Sequence, residues 1–227
     1  VSPIALEFER LYGTDFGDLR ATFTWRDDSR DSAIFPTRGG YQLDTAVLST
    51  VDLQFYRLGY RYKYYVPVIT NYTLHLGMDL GYGDGYGDLD ILPFFENFFA
   101  GGSKTVRGFE QNTLGPKETI DPNSDPIGGN LKVVGNVELF FPSFLGGQFE
   151  KTTRLSAFLD VGNVWLTYGD SSRESVGFDI GDLRYSAGLS ASWLSPLGAL
   201  TVSLAYPFND KDGDRVENFQ FSLGQTF

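Results

Sequence analysis

Residues 56–66 read Tyr56-Arg57-Leu58-Gly59-Tyr60-Arg61-Tyr62-Lys63-Tyr64-Tyr65-Val66. Tyr56, Leu58, Tyr60, Tyr62, Tyr64 and Val66 share one parity, and Arg57, Gly59, Arg61 and Lys63 share the other. Successive side chains alternate between two faces only in an extended strand, so this period of two predicts a β-strand with one apolar and one polar face. The pattern recurs. From 72 to 82, Tyr72, Leu74, Leu76, Met78, Leu80 and Tyr82 alternate with Thr73, His75, Gly77, Asp79 and Gly81. From 183 to 193, Leu183, Tyr185, Ala187, Leu189, Ala191 and Trp193 alternate with Arg184, Ser186, Gly188, Ser190 and Ser192. Similar stretches at 19–26, 42–48, 131–141, 153–165, 199–207 and 217–227 bring the expected strands to nine.

Alternation of this kind fits a soluble sandwich, with the apolar face as core, or a transmembrane barrel, with the apolar face toward lipid. Strand length favours the barrel, because runs of about 9–13 residues exceed the usual soluble strand and suffice to cross a bilayer when tilted. The polar face, rich in Gly, Ser and paired charge, suits a crowded lumen. Aromatic placement agrees. With strands alternating in direction and the C-terminus periplasmic, Trp25, Tyr62, Tyr64, Tyr72, Phe141, Trp193 and Phe227 fall at one membrane face, and Tyr82, Trp165 and Tyr206 at the other. Two such girdles are what a membrane-spanning barrel presents at its interfaces. The expected fold is therefore all-β, a transmembrane antiparallel β-barrel.

Composition narrows the function. Aromatics reach 16% and glycines number 27, a β-rich bias, and no apolar run of 18 residues offers a transmembrane helix. The net charge of −11 leaves no broad basic field, so nucleic acid is not an expected partner. With no cysteine, disulfides, thiolate metal sites and a Cys nucleophile are excluded. A single histidine, His75, on the polar face with no nucleophile motif around a serine, reads as a lumen hydrogen-bonding residue, so no enzyme and no cofactor are expected. The stretch Asp210-Lys211-Asp212-Gly213-Asp214 has its glycine misplaced for a calcium loop, and no metal site is expected there.

Residues 1–17 are read as the stub of a surface loop, Ile4, Phe8, Leu11 and Tyr12 fitting a short amphipathic helix, and 18–227 as barrel strands. The chain begins Val1-Ser2-Pro3 without an initiator Met, and nine strands is an odd number where single-chain bacterial barrels have even ones. It is expected to be the C-terminal part of a larger barrel. Periplasmic turns are expected at Pro67 and at Ser195-Pro196-Leu197-Gly198, and a long outer loop at 84–129, too long to be idle.

Within that loop lies Asn97-Phe98-Phe99-Ala100-Gly101-Gly102-Ser103-Lys104-Thr105-Val106-Arg107-Gly108-Phe109, continuing Glu110-Gln111-Asn112-Thr113-Leu114-Gly115-Pro116-Lys117. It closely resembles the VRGF loop of the BamA family, central subunits of the machinery that assembles β-barrels in Gram-negative outer membranes. Phe158-Leu159-Asp160-Val161-Gly162 is similar to the family's FxDxG strand, and Phe219-Gln220-Phe221-Ser222-Leu223-Gly224-Gln225-Thr226-Phe227 to its closing strand. Translocation relatives, TamA and two-partner secretion transporters, share shorter versions of VRGF, which keeps an outer-membrane polypeptide translocation pore as the alternative. Two departures stand out: counterparts of the periplasmic POTRA domains and first strands are missing, and Phe227 stands where many relatives have Trp.

The resemblance implies an outer-membrane insertase working without cofactor. Its partners would be lipid, unfolded β-barrel clients and, mainly through periplasmic domains, the machinery's lipoproteins. It implies that Val106, Arg107, Gly108 and Phe109 form a latch inserted into the lumen, with Glu138, Phe158, Asp160 and Gly162 as its acceptors. A planar guanidinium suits both carboxylate pairing and aromatic stacking. It further implies that Phe219, Phe221, Leu223, Gly224 and Phe227 belong to one side of a lateral gate, where a client strand pairs. The gate strand's other face, Asn218, Gln220, Ser222, Gly224 and Thr226, carries nothing bulky to lock it.

Overall fold

The alternation at 56–66 becomes one arm of a long antiparallel ladder. The computed structural model describes residues 3–119, 121, 124–143, 152–168, 176–195 and 198–223. Helix α1 (Pro3–Tyr12) leads into β1 (Asp18–Asp28), β2 (Gly39–Val51), β3 (Phe55–Ile69) and β4 (Tyr72–Gly85). The two-residue β5 (Gly108–Phe109) lies inside the long connection to β6 (Leu131–Pro142). Then follow β7 (Thr153–Trp165), β8 (Arg184–Ser195), β9 (Gly198–Pro207), the short β10 (Val216–Glu217) and β11 (Phe219–Leu223). Nine of these form one sheet in the order β1-β2-β3-β4-β6-β7-β8-β9-β11, every neighbour antiparallel, and β10 pairs with β5 in a sheet of their own. The order is a meander, and it holds even across the long connection between β4 and β6.

Which face is wet separates this sheet from a sandwich. Leu58, Leu76, Met78, Val137, Leu159, Leu189 and Leu204 are exposed, whereas Glu138, Ser156, Asp160, Ser186, Ser190 and Ser203 on the opposite parity are buried. An apolar face turned outward and a polar face turned inward is the arrangement lipid selects and water opposes. No described helix is long and apolar enough to cross a membrane; the strands are the crossing elements.

Two apolar clusters sit toward one end of the sheet. One gathers Phe8, Leu53, Phe55, Leu89 and Leu92, so α1 packs through Phe8 onto the strand ends and the start of the long connection. Phe8 meets Phe94 edge-on at 5.7 Å. Leu11, expected on the same helix face, is instead 56% exposed, and the helix seats itself through Phe8 and Tyr12. The second cluster, Phe98, Ala100, Val106, Phe109, Leu114, Val134 and Val164, joins the long connection to the inner wall.

Three details differ from the sequence expectation. Pro67 is not in a turn: it lies in β3 opposite Thr73, with a register shift between Pro67 and Ile69, and the turn is made by Thr70 and Asn71, the latter at φ 66°. A proline that cannot donate to a ladder is accommodated at such an irregularity. Trp165 does not face lipid; it is fully buried, its ring 5.1 Å from that of Phe178 in the following connection. The run 217–227 is divided: Val216 and Glu217 pair with β5, and the pairing with β9 runs from Phe219 to Leu223. Pro196, Leu197, Gly224 and Phe227 lie outside the described residues.

The fold places the Thr70-Asn71 turn and the 208–215 connection at opposite ends of the strands. Cysteines introduced at the exposed Asn71 and Asp212 test the orientation. An impermeant maleimide on intact cells carrying the full-length protein should label position 212 and spare position 71. The reverse pattern would invert the assignment.

Candidate functional site

The connection between β4 and β6 turns back into the polar side of the sheet, and glycine makes the path possible. Gly101 and Gly102 adopt φ of 104° and 93°. The tight turn they make is tied by Gly102 N–H donating to the Val106 carbonyl at 3.2 Å and Thr105 N–H to the Gly102 carbonyl at 3.1 Å. Gly108 adopts φ 91°, a conformation side chains rarely take, and a Cβ there would press at 3.2 Å on both Ala205 Cβ and Pro207 Cδ of β9. Between these turns the chain presents Val106 and Phe109 to the apolar cluster and Arg107 to the wall.

Arg107 donates from Nε to Asp160 Oδ2 at 2.7 Å and from a terminal nitrogen to Asp160 Oδ1 at 2.9 Å, a two-pronged fork on one carboxylate. Its backbone N–H also donates to Asp160 Oδ2 at 3.1 Å. The other terminal nitrogen donates to Glu138 Oε1 at 3.1 Å and to Ser190 Oγ at 3.4 Å. The guanidinium carbon stands 3.4 Å above the centre of the Phe158 ring. Three strands set this geometry by register, since Glu138 lies opposite Phe158, Asn136 opposite Asp160, and Phe158 opposite Gly188. Arg107 is 8% exposed and Asp160 not at all, so neither charge is left to solvent.

The acceptors are themselves held. Asn136 donates to Asp160 Oδ1 at 2.8 Å and to the Thr105 carbonyl at 2.7 Å, binding carboxylate and loop together. Ser156 donates to Glu138 at 2.5 Å. Neither serine, 156 nor 190, is distinguishable in sequence from other small polar residues on this face, and only the register singles them out. Among the expected acceptors, Glu138, Phe158 and Asp160 converge on Arg107. Gly162 does not: it packs against the backbone of Val133 and Val134, a site of close strand approach. His75, expected as a hydrogen-bonding lumen residue, is stacked on Tyr65 at 4.7 Å with both ring nitrogens buried and unpartnered.

The loop is seated elsewhere too. Phe98 lies beneath Arg57, whose guanidinium carbon is 4.0 Å from the ring centre, and above Gly81 of β4. Tyr168, in the connection after β7, donates to the Leu92 carbonyl at 3.1 Å; burial and the nearby charge of Asp84 raise its phenol above the ordinary value. Asp214 in the acidic stretch 210–214 accepts from Arg184 at 2.5 Å and from the Lys211 N–H at 2.8 Å, a structural clasp between connections. A Cβ on Gly81 would fall 2.5 Å from the Phe98 ring. Gly81→Val should therefore unseat Phe98 at a cost of about 1–3 kcal/mol, the usual toll of overpacking. Limited proteolysis should show faster cleavage between residues 97 and 117 with the strands intact; an unchanged pattern would mean that Phe98 does not hold the loop.

On β11, Phe219, Phe221 and Leu223 are exposed by 58%, 58% and 62%. Its opposite face is not free of anchors as expected. Gln220 is 4% exposed and donates to the Phe109 carbonyl at 2.7 Å.

Residues 5–227 match the Omp85 superfamily domain. The chain is 39% identical to the outer membrane protein assembly factor BamA of Neisseria meningitidis serogroup B, over 97% of this chain and 31% of the relative. A protein of the same name from Nitratidesulfovibrio vulgaris is 33% identical over 78% of this chain and 21% of its own length. The mouse sorting and assembly machinery component 50 homolog is 27% identical over 88% of this chain and 44% of its length. The crystal structure of BamA from Haemophilus ducreyi lacking POTRA domains 1–3 superposes with a TM-score of 0.86 at 25% identity, covering 97% of this chain and 47% of that one. The chain thus spans less than half the length of each of these relatives.

Proposed function

The chain belongs to the Omp85 superfamily, and from that premise we propose that it is the C-terminal barrel portion of an outer-membrane protein assembly factor that folds client β-barrels into the membrane. In this reading residues 1–17 are the stub of a surface loop and 18–227 are barrel strands. The observation that carries it is the loop folded into the lumen with Arg107 forked on Asp160, in a chain whose relatives are named for assembly. A loop filling the lumen in this way suits a wall that templates strand pairing better than an open conduit for a polypeptide.

The mechanism needs no covalent step and no cofactor. The latch of Val106, Arg107, Gly108 and Phe109 holds the lumen side rigid against β6, β7 and β8. Rigidity there leaves opening to the edge formed by β11, whose backbone groups template an incoming strand while Phe219, Phe221 and Leu223 face lipid. Gly224 and Phe227 extend that strand in sequence. Clients, lipid and the machinery's lipoproteins are the partners, the last reached through domains outside this chain.

Full-length protein in liposomes tests the assignment. It should accelerate folding of a urea-denatured β-barrel client over lipid alone, and planar bilayers should show little steady conductance. Steady conductance without acceleration would make it a translocation pore instead.

A further inference from the structure

Hydrogen bonds join the loop that carries Arg107 directly to β11 and the residues before it. Immediately after Arg107, Gly108 and Phe109 pair with Glu217 and Val216, the residues that precede β11. Glu110 N–H then donates to the Arg215 carbonyl at 2.8 Å. One residue into β11, the Gln220 amide reaches the lumen side, donating to the Phe109 carbonyl at 2.7 Å and accepting from Gly108 N–H at 3.4 Å. It spans both backbone groups of the loop next to the arginine. Gly108 itself is pressed against Ala205 and Pro207 of β9, the strand to which β11 is laddered. The loop therefore grips β9 and the entry to β11 at once, and among the described residues Gln220 is the one side chain of β11 with hydrogen bonds to it.

We propose that Gln220 is the positioning residue that couples the Arg107 latch to the gate strand, so that the outer end of β11 is held when the latch is docked and released when it is not. This deepens the gate reading and rests on it for its functional meaning. The geometry gives a direction to the coupling. Withdrawing Arg107 from Asp160 moves Gly108 and Phe109, which breaks both Gln220 hydrogen bonds and the β5–β10 pairing. The strand then keeps its Phe219–Leu223 ladder to β9 and, at its entry, the bonds between Asn218 and the Ala205 backbone. Conversely, a client strand that displaces the top of β11 pulls on the loop through the same amide. Neither effect needs a change in the strands that carry Asp160 and Glu138.

The test is a double-variant cycle read by hydrogen exchange at the Phe219, Gln220 and Phe221 amides of full-length protein in nanodiscs. Arg107→Ala alone should raise exchange at these amides roughly tenfold, the scale expected when hydrogen bonds of ordinary net strength are lost. Gln220→Met, which keeps length and apolar bulk but has no hydrogen-bonding amide, should do the same. Combined, they should give no more than either alone, because each breaks the same link. A combined effect near the product of the two, or an Arg107→Ala protein whose strand exchanges as in wild type, would overturn the coupling. Should Gln220→Met fail to fold, Gln220→Glu, which loses the donor to Phe109 at unchanged length, takes its place in the same cycle. Client folding measured on the same variants keeps the two readings apart. A non-additive exchange cycle with client folding indifferent to β11 would leave the coupling standing and remove the gate.

Discussion

Arg107→Ala is expected to open the loop at 97–117 to protease while the nine-stranded sheet stays assembled. Among the described residues the arginine is the only cation paired with Asp160, whose two oxygens it occupies from Nε and a terminal nitrogen while its backbone N–H shares Oδ2. Truncation leaves that carboxylate with the Asn136 amide at 2.8 Å and the loop N–H, in a place with no solvent exposure. Stranding one partner of a buried pair typically costs about 3–5 kcal/mol, most of it desolvation of the group left behind. Water entering the lumen will offset part of this. The cost falls on loop docking and not on the strands, because the β6–β7 and β7–β8 ladders close through backbone bonds that do not involve Arg107. Arg107→Lys should restore little, since an ammonium cannot fork across both oxygens or lie flat on Phe158. Adding Asp160→Asn to Arg107→Ala should recover part of the loss, because the unpaired charge is gone. Limited proteolysis with the heat-dependent gel mobility of a folded barrel reads both halves of the prediction. Protease sensitivity equal to wild type would show that the loop is held without its arginine.

The strands were legible because a membrane-spanning wall obeys one rule along its whole length: lipid on one face, lumen on the other. Tyr56 to Val66 announces its faces by parity alone, and β3 carries that parity from Phe55 to Val66, up to the register shift beyond Pro67. What occupies the lumen is a different matter. Arg107 and Asp160 are 53 residues apart, Arg107 and Glu138 are 31 apart, and Gln220 and Phe109 are 111 apart. No local period encodes such contacts, and the acceptors Glu138, Phe158 and Asp160 were named only because the loop resembles a family's. Parity likewise put His75 on the inner face but could not tell a hydrogen-bonded ring from one stacked on Tyr65. Trp165 had the right parity and depth for an interfacial ring, and the connection carrying Phe178 covers it. Gln220 was visible as the long polar side chain between two phenylalanines, and its length is the one clue that it reaches across the lumen. The glycines were the better guide. Their abundance on the inner face signalled crowding, and Gly81 under Phe98 and Gly115 against Val164 are places where loop and wall press close.

Locking β11 to the first strand of the full-length barrel is expected to abolish client assembly while leaving the protein folded. Ser222, on the strand's inner parity opposite Thr201 of β9, offers a site away from the lipid-facing residues and from the Gln220 contact. A cysteine there, disulfide-bonded to one on the facing first-strand residue, would pin the seam without altering the outer face. That outer face is the reason to expect a large effect. Phe219, Phe221 and Leu223 are each more than half exposed, so β11 keeps its apolar contact with lipid whether or not its free edge is paired. Opening the seam then costs chiefly the backbone hydrogen bonds along it, each with a net value of about 0.5–1.5 kcal/mol, and a client strand adding to the same edge restores them one for one. Exchange of one strand for another is thus nearly balanced, and a covalent bond across the seam removes the exchange without weakening the wall. Client folding in liposomes should fall to the rate of lipid alone under oxidant and return with reductant, the reversal separating a closed seam from a damaged barrel. Full activity under complete cross-linking would mean that clients fold elsewhere, against the perturbed bilayer and not on the edge of β11.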